Sequence, residues 1–348
     1  MEAFTSSYKQ FGLNVQPGNS VKGLEWAPAA EKLALIGDFN NWHQNANVYH
    51  KEEHGKWSVT VPANADGSCA IPHNSVIKIA VSRHGQTYFK LSPWAKFVTC
   101  PNPKETVIYH QNFWNPHEKY RLRKKHPARP ASLIIYEAQA GISSHEGKIN
   151  TYRAFADEVL PRIHKQGYNA IPLMAVMEHV YYASFGYQVS NFFAVSSRYG
   201  LNQWDGSNGG YFHDNARGFH NLWDSSCLII LSKGELNNLN TSEICRIETL
   251  RFLLSNVRWW VEEYGFDGFR FDGVTSMIYH SHGINDSFCG GYPMYFGLNP
   301  DTDSLVYLML ANDFLHKKYP FMVTIAEEVS GMPGICRPVE EGGQGFDY

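Results

Sequence analysis

Two short stretches place carboxylates where they could do chemistry. The first, Gly268-Phe269-Arg270-Phe271-Asp272-Gly273, reads as a strand ending on an acid. Arg270 and Asp272 are two residues apart, so on an extended backbone they share a face. A guanidinium beside a carboxylate favours its ionised form, which suits a nucleophile. The second, Ile325-Ala326-Glu327-Glu328, sets an acid just past an apolar run, where partial desolvation raises its pKa and suits a general acid. One depressed and one raised carboxyl, about 5–5.5 Å apart, is what retaining glycoside chemistry requires. The same residues also fit a plain Arg270–Asp272 ion pair with Glu327 and Glu328 on a solvated loop. Spacing alone leaves both readings open.

The elements that must position these groups follow from hydrophobic periodicity. Up to Asn115 the chain reads as short strands with no helix. Leu33 to Ile36 is an apolar run, Trp57, Val59 and Val61 alternate with polar residues, and Val76 to Val81 and Thr87 to Phe89 supply two more. A small β-sandwich is the economical solution. A basic, proline-punctuated stretch from Lys119 to Pro130 follows and reads as a solvated linker rather than a phosphate site. From Ser132 strands alternate with helices. Strands are expected at Leu133–Tyr136, Ala170–Met174, Phe266–Phe271 and Phe321–Ala326. Helices are expected over Tyr152–Ile163, bent at Pro161 and ended by Gly167, over Leu250–Tyr264, stopped by Gly265, and over Leu305–Lys317. The fold class is therefore α/β: an N-terminal sandwich over residues 1–115, a linker over 116–131, and a (β/α) barrel domain over 132–348. In such a barrel reactive groups sit at the C-terminal ends of strands, where Asp272 and Glu327 fall.

Composition narrows the function classes. The 348 residues carry a formal charge of -3, which argues against nucleic acid as a partner. No run reaches 18 apolar residues and Met1–Ser7 has no basic-then-apolar pattern, so neither a membrane span nor a secretory signal is expected. The six cysteines are scattered without a Cys-x-x-Cys pair, as for reduced, buried thiols in a cytoplasmic protein. Aromatic residues make up 14%, and their flat faces can stack on sugar rings as well as fill cores.

Five longer motifs carry a resemblance: Ala138-Gln139-Ala140-Gly141-Ile142-Ser143-Ser144-His145-Glu146-Gly147-Lys148, Leu173 through His179, Tyr182 through Val189, Arg251 through Met277, and Ile325 through Pro333. Together they resemble the eukaryotic 1,4-α-glucan (glycogen) branching enzymes, transglycosidases of the α-amylase family. Gly37-Asp38-Phe39-Asn40-Asn41-Trp42 resembles the carbohydrate-binding sandwich that precedes such barrels. The resemblance implies Asp272 as nucleophile, Glu327 as acid/base with Glu328 a non-catalytic neighbour, Arg270 holding Asp272 ionised, and Tyr187 lining the sugar site. Trp42 is a candidate to stack on glucan, although a core position is commoner for tryptophan. His179, His280 and His282 could line the cleft, with a hydrogen-bonded structural role preferred for each. Glycogen or a similar α-1,4-glucan is the implied partner, and no metal or organic cofactor is implied.

Several departures accompany it. Gly200 runs almost directly into Leu201-Asn202-Gln203-Trp204, leaving no room for a βαβ step of about 30 residues. No aspartate- and histidine-bearing motif of the family's third strand is present. The stretch 226–247 is unlike the family, and Gln139 stands where the family usually has histidine. The sequence ends at Tyr348, before the family's later strands and their third carboxylate. Four barrel strands do not close a barrel, so a half-barrel with two open edges and gravely impaired catalysis are expected. A non-catalytic glucan-binding protein and an amylase-like hydrolase are the alternative functions, because the two carboxylates alone do not separate transfer from hydrolysis.

Overall fold

The structure is a computed structural model and describes residues 1–100, 108–118, 122, 125–200, 243–289 and 291–348. The chain divides into two compact units. One joins Tyr8–Tyr120 to Ser132–Asp224; the other joins Met1–Ser7, Arg121–Ala131 and Ser225–Tyr348.

The first unit contains the sandwich. Its strands are β1 (Gly12–Val15), β2 (Val21–Trp26), β3 (Lys32–Gly37), β4 (His50–Lys51), β5 (Lys56–Val61), β6 (Val76–Arg83), β7 (Gln86–Lys90), β8 (Val98–Thr99) and β9 (His110–Asn112). One antiparallel sheet runs β1-β2-β5-β4. The other runs β3-β6-β9-β8, with β7 also paired to β6. The alternation read in β5 is real, since Trp57, Val59 and Val61 are buried while Thr60 faces water. Trp26, Leu33, Leu35 and Ile36 are almost fully buried beside them. Each such side chain contributes about 1.5–3 kcal/mol. The indoles are also satisfied: Trp26 Nε1 donates to His54 O at 3.0 Å and Trp57 Nε1 to Ala27 O at 3.0 Å. Strand β2 gives no clean alternation because Gly23 and Glu25 occupy inward positions, both buried.

Beyond the sandwich, Ile135 and Ala170 form an isolated parallel bridge, and the ladder proper comes later, between β10 (Ala138–Gln139) and β11 (Leu173–Met174). This shifts the two strands expected at Leu133–Tyr136 and Ala170–Met174. Pro172 lies between bridge and ladder. It accepts from Ala138 N at 3.0 Å but has no N–H to donate, so the pairing is interrupted there. The helix expected over Tyr152–Ile163 is three pieces: Tyr152–Ala154, a π-helical Phe155–Val159, and Leu160–Lys165. The wide π turn falls just before Pro161, whose ring and missing N–H disrupt the ordinary α ladder. Gly167 follows the helix in the left-handed region, φ 92°. An antiparallel hairpin, β12 (Met177–His179) with β13 (Val189–Val195), completes this unit and had no counterpart in the periodicity.

The second unit is built on the helices Glu243–Tyr264 and Thr302–Lys318. Gly265 ends the first in the left-handed region, φ 70°, and returns its N–H to Val261 O at 3.1 Å. Asp301 caps the second, accepting from Asp303 N at 3.0 Å and Ser304 N at 3.2 Å. Val257, Val261, Phe314, Leu315 and Met322 form one apolar cluster between them, and Leu254, Ile278, Leu308 and Ala311 belong to another. Contrary to the helix-free reading of the first residues, Glu2–Thr5 is one helical turn, too short for periodicity to reveal. Its Glu2 carboxylate meets Lys318 Nζ at 2.8 Å and Arg258 Nη2 at 2.5 Å.

The described part of the basic stretch is largely exposed, as expected of a solvated linker, but it is anchored at two points. His126 stacks on Phe321 with ring centroids 4.0 Å apart, and Arg129 Nη2 pairs with Asp347 at 2.6 Å. Cys69, Cys100, Cys289 and Cys336 are free thiols, but none is buried as expected: Cys69 and Cys100 are partly exposed, and Cys289 and Cys336 are exposed. Cys227, the segment following Gly200 and nearly all of 226–247 lie outside the described residues. Among the described residues no helix is long and apolar enough to cross a membrane.

Candidate active site

The second unit carries a parallel pair, β14 (Gly268–Phe271) and β15 (Val323–Ala326). Gly268 allows their close approach, for a Cβ there would lie 2.6 Å from Val323 O. The register pairs Phe271 with Ala326, so Asp272 and Glu327 are the next residue on each strand. The backbone bonds continue past the ladder. Glu327 N donates to Phe271 O at 2.8 Å, and Val274 N donates to Glu327 O at 3.0 Å. Both acids therefore leave the same end of two hydrogen-bonded neighbours.

The side chains differ in what holds them. Arg270 Nη1 pairs with Asp272 Oδ1, with both side chains partly open to solvent. The shared face read from their spacing is thus occupied as an ion pair. Glu327 Oε2 accepts from Gly273 N at 2.6 Å. Gly273 adopts φ 65° with open space around its missing Cβ, so its role is conformational: it turns the chain sharply after Asp272 into the helix Val274–Ile278. Glu327 is therefore tied to the strand end by its own main chain and by its carboxylate.

Glu328 has another task. Its carboxylate accepts from Thr275 Oγ1 at 2.9 Å, Ser330 N at 2.7 Å, Gly331 N at 2.9 Å and Met332 N at 3.3 Å, and from Ser330 Oγ. Burial pushes this carboxyl up, but the bonds from Ser330, Thr275 and Gly331 outweigh it and hold it below the usual range. A carboxylate so saturated organises a loop. Thr275, Ser330 and Tyr279, whose hydroxyl meets Ser330 Oγ at 2.7 Å, were given no role from sequence. Thr275 and Ser330 lay inside the quoted motifs, and that was the available signal.

The outer edge of β15 is also occupied. Ala326 N donates to Tyr348 O at 2.8 Å and Asp347 N to Thr324 O at 2.9 Å. Asp347 Oδ2 accepts from Thr324 N at 2.8 Å and contacts His316 Nε2 at 3.1 Å. This corrects the expectation that the fourth strand presents an open edge.

Tyr187 and Trp42 belong to the other unit. Tyr187 is 62% exposed in the loop joining β12 to β13. Gly186 before it has φ 94°, and a Cβ there would strike Ala175 Cα at 2.4 Å. Trp42 is 40% exposed, which overturns the preference for a core position. Asp38 holds it, accepting from Trp42 Nε1 at 3.2 Å with one oxygen and from Val76 N at 2.8 Å with the other. The indole face is thereby fixed at the sandwich surface. So Arg270, Asp272 and Glu327 come together in one unit, while Tyr187 and Trp42 are presented by the other.

The side chains of His179 and His282 are hydrogen-bonded, as preferred, whereas that of His280 approaches a partner only beyond hydrogen-bond range. His282 Nδ1 contacts Ser276 O at 2.9 Å, and His280 Nδ1 lies 3.8 Å from Asp301. His179 is fully buried, with Nδ1 2.9 Å from Met177 O. A carbonyl only accepts, so Nδ1 carries the proton. Burial, with Arg198 nearby, lowers this imidazole to about 4, so it is neutral at pH 7. Its Nε2 faces Tyr199 OH at 3.5 Å, and that hydroxyl accepts from Gln139 Nε2 at 3.1 Å.

Comparison with known proteins agrees with this architecture. The sequence profile of carbohydrate-binding module 48 (isoamylase N-terminal domain) matches residues 10–95. The chain is 45% identical over 384 aligned positions to a 1,4-alpha-glucan-branching enzyme of Equus caballus, covering 100% of this chain and 53% of the relative. It is 47% identical over 383 positions to the enzyme of the same name from Rhizophagus irregularis, covering 100% and 54%. A chloroplastic/amyloplastic 1,4-alpha-glucan-branching enzyme of Arabidopsis thaliana is 44% identical, at 100% and 46% coverage. The chain spans about half the length of these relatives. The alignments are longer than the chain, so within the matched region the relatives carry residues that this chain lacks. Among solved structures, the catalytic module of a multi-modular glycogen-degrading pneumococcal virulence factor aligns at TM-score 0.63 and 16% identity, covering 94% of this chain and 51% of that one. A pullulanase from Anoxybacillus sp. LM18-11, complexed with maltotriose, gives 0.61 at 15% identity, covering 95% and 50%. These likenesses establish the fold, a β-sandwich module followed by part of a (β/α) barrel. With whole-chain identity near 45% to curated relatives, the chain belongs to the 1,4-alpha-glucan-branching enzyme family.

Proposed function

We propose that this chain carries the nucleophile and the acid/base of a retaining glucan branching reaction, with Asp272 and Glu327 in those roles. The observation that supports it most is the register of β14 and β15, which releases the two acids side by side from one strand end. Glu327 protonates the glycosidic oxygen of an α-1,4 bond as Asp272 attacks C1, giving a covalent glucosyl intermediate. Glu327, now a carboxylate, removes the proton from a 6-hydroxyl of an acceptor glucan. That oxygen displaces Asp272 and closes an α-1,6 bond with net retention. Arg270 holds the Asp272 carboxylate in place through their ion pair. Tyr187 lines the sugar site and Trp42 stacks on glucan at the sandwich surface. The domain assignment in this reading is a glucan-binding module over 1–115, the 116–131 connection and the catalytic barrel segment over 132–348. The substrate is glycogen or a similar α-1,4-glucan, and the compartment is the cytoplasm.

The missing segment after Gly200 weighs on rate. Positioning and electrostatic stabilisation supply much of the barrier reduction, so the 348-residue chain is expected to branch slowly or not at all. Purified chain incubated with amylose tests the reading. New α-1,6 anomeric signals with loss of iodine colour support it. Reducing sugar without α-1,6 signals points to a hydrolase. Co-sedimentation with glycogen and no change in chain-length profile points to a non-catalytic glucan-binding protein, a reading favoured by the module match and the exposed Trp42.

A further inference from the structure

A buried polar network in the first unit has no part in the chemistry above. Glu178 and Arg198 are both fully buried and paired, Arg198 Nη1 to Glu178 Oε1 at 2.9 Å. The other carboxylate oxygen accepts from Ser197 N and Ser197 Oγ, each at 2.8 Å. From this pair the network runs in two directions. Toward the sandwich, Arg198 Nη2 donates to the hydroxyl of Tyr109, which immediately precedes β9, and Ser197 Oγ accepts from Cys100 N at 2.8 Å. Toward the β12–β13 hairpin, Arg198 Nη1 donates to His179 O and Nη2 to Val180 O at 3.2 Å. The Tyr109 hydroxyl lies 3.3 Å from the same two carbonyls, to which it offers its single proton.

Those carbonyls stand where the hairpin loop departs. Val180 N closes the loop onto Gln188 O at 3.1 Å, Tyr187 N donates to Ser184 O at 3.0 Å, and Ser190 Oγ reaches Glu178 O at 3.2 Å. Apolar packing runs parallel to the polar path. Ala95 and Val98 of the sandwich side cluster with Ala194 of β13, with Tyr109 against them, and the Trp94 and Phe193 rings lie 4.9 Å apart.

We propose that Glu178, Arg198 and Tyr109 are positioning residues that lock the Tyr187 loop to the sandwich, so that the sugar-facing tyrosine and the glucan-binding module act as one body. The inference rests on the reading of Tyr187 as a sugar-site residue. Its mechanical part stands on the hydrogen bonds alone. The arginine is suited to the task because its planar fork spans two carbonyls, a carboxylate and a phenol at once, which a lysine ammonium does not.

Glu178→Gln and Arg198→Met each leave a buried charge without its partner and risk unfolding. Tyr109→Phe removes one hydroxyl and keeps the ion pair, so it is the informative variant. It is compared with the unmodified full chain by backbone hydrogen exchange and by the 19F resonance of 3-fluorotyrosine at position 187, assigned with Tyr187→Phe. The thermal transition of Tyr109→Phe should stay cooperative. Exchange at the Val180 and Tyr187 amides should rise about tenfold, and the residue-187 resonance should move or broaden. Maltoheptaose should perturb that resonance in the unmodified chain and perturb it less in Tyr109→Phe at equal concentration. A cooperative Tyr109→Phe with unchanged exchange and an unchanged resonance overturns the proposal. If exchange rises but maltoheptaose leaves the resonance of the unmodified chain unmoved, the lock stands and the reading of Tyr187 falls.

Discussion

Arg270–Asp272 and Arg198–Glu178 are the same chemical pair in opposite surroundings. The first has side chains 28% and 40% exposed, and its carboxylate stands at the open end of a strand. The second has both side chains at 0%, with a bond from Ser197 to Glu178 and one from Arg198 to the Tyr109 hydroxyl completing the shell. Burial decides what each is for. A half-solvated pair costs little to break and remake, which suits the proposed attack of Asp272 on an anomeric carbon. A pair sealed from water is costly to break once one partner is gone, so Arg198 and Glu178 suit a fixed joint. In the first unit Glu25 extends the contrast. It is buried as deeply as Glu178, yet among the described residues no cation pairs with it.

These differences rank the expected effects. Arg198→Met should destabilise the chain by about 3–5 kcal/mol in urea unfolding, because Glu178 is left buried and unpaired. A loss below about 1 kcal/mol would erase the distinction between the two pairs. Glu25 comes next. Burial pushes its carboxyl from 4.5 up to about 8, against a smaller pull from the Ser92 hydroxyl. Between those values the folded chain holds a proton that the unfolded chain has released. Stability therefore falls as pH rises from about 4.5 to about 8, by up to about 1.4 kcal/mol per unit, and then levels. Glu25→Gln should flatten that slope and stabilise the chain at pH 8. An unchanged slope in parallel unfolding curves would show that Glu25 is not the group responsible.

Arg270→Met should cost less than about 1 kcal/mol in stability, as for exposed pairs, while sharply lowering any glucan transfer. If it destabilised as much as Arg198→Met, the active-site pair would be structural after all. Trp42→Ala should be the mildest for folding, within about 0.5 kcal/mol, because the side chain is surface-held. It should nonetheless weaken maltoheptaose binding several-fold in calorimetry. Unchanged binding would remove Trp42 from the glucan surface.

How much of this the sequence carried depends on the range of the interaction. Alternating apolar residues identified β5 and β6, and the apolar runs ending in Asp272 and Glu327 identified their strands, because those signals are local. β2 was missed because an inward Glu25 breaks its alternation. The first barrel ladder was displaced because Pro172 interrupts donation without ending the strand pair. Trp42 was misjudged because its anchor, Asp38, lies at the surface, and residue type alone favours the core. The Glu178–Arg198–Tyr109 joint was not legible at all. Its members are separated by 20 and 89 residues from Arg198 in the chain, and only the folded unit brings them together.

The central claim is that Asp272 forms a covalent bond to glucose, and trapping tests it most directly. A 5-fluoro-α-glucosyl fluoride supplies a leaving group that needs little acid assistance, while its 5-fluorine slows both steps by disfavouring positive charge on the ring. Incubated with the full chain, digested and mapped by mass spectrometry, it should leave one glycosyl adduct on the peptide containing Asp272, absent from Asp272→Asn and still formed in Glu327→Gln. No adduct on that peptide, or an equal adduct in Asp272→Asn, would contradict the account.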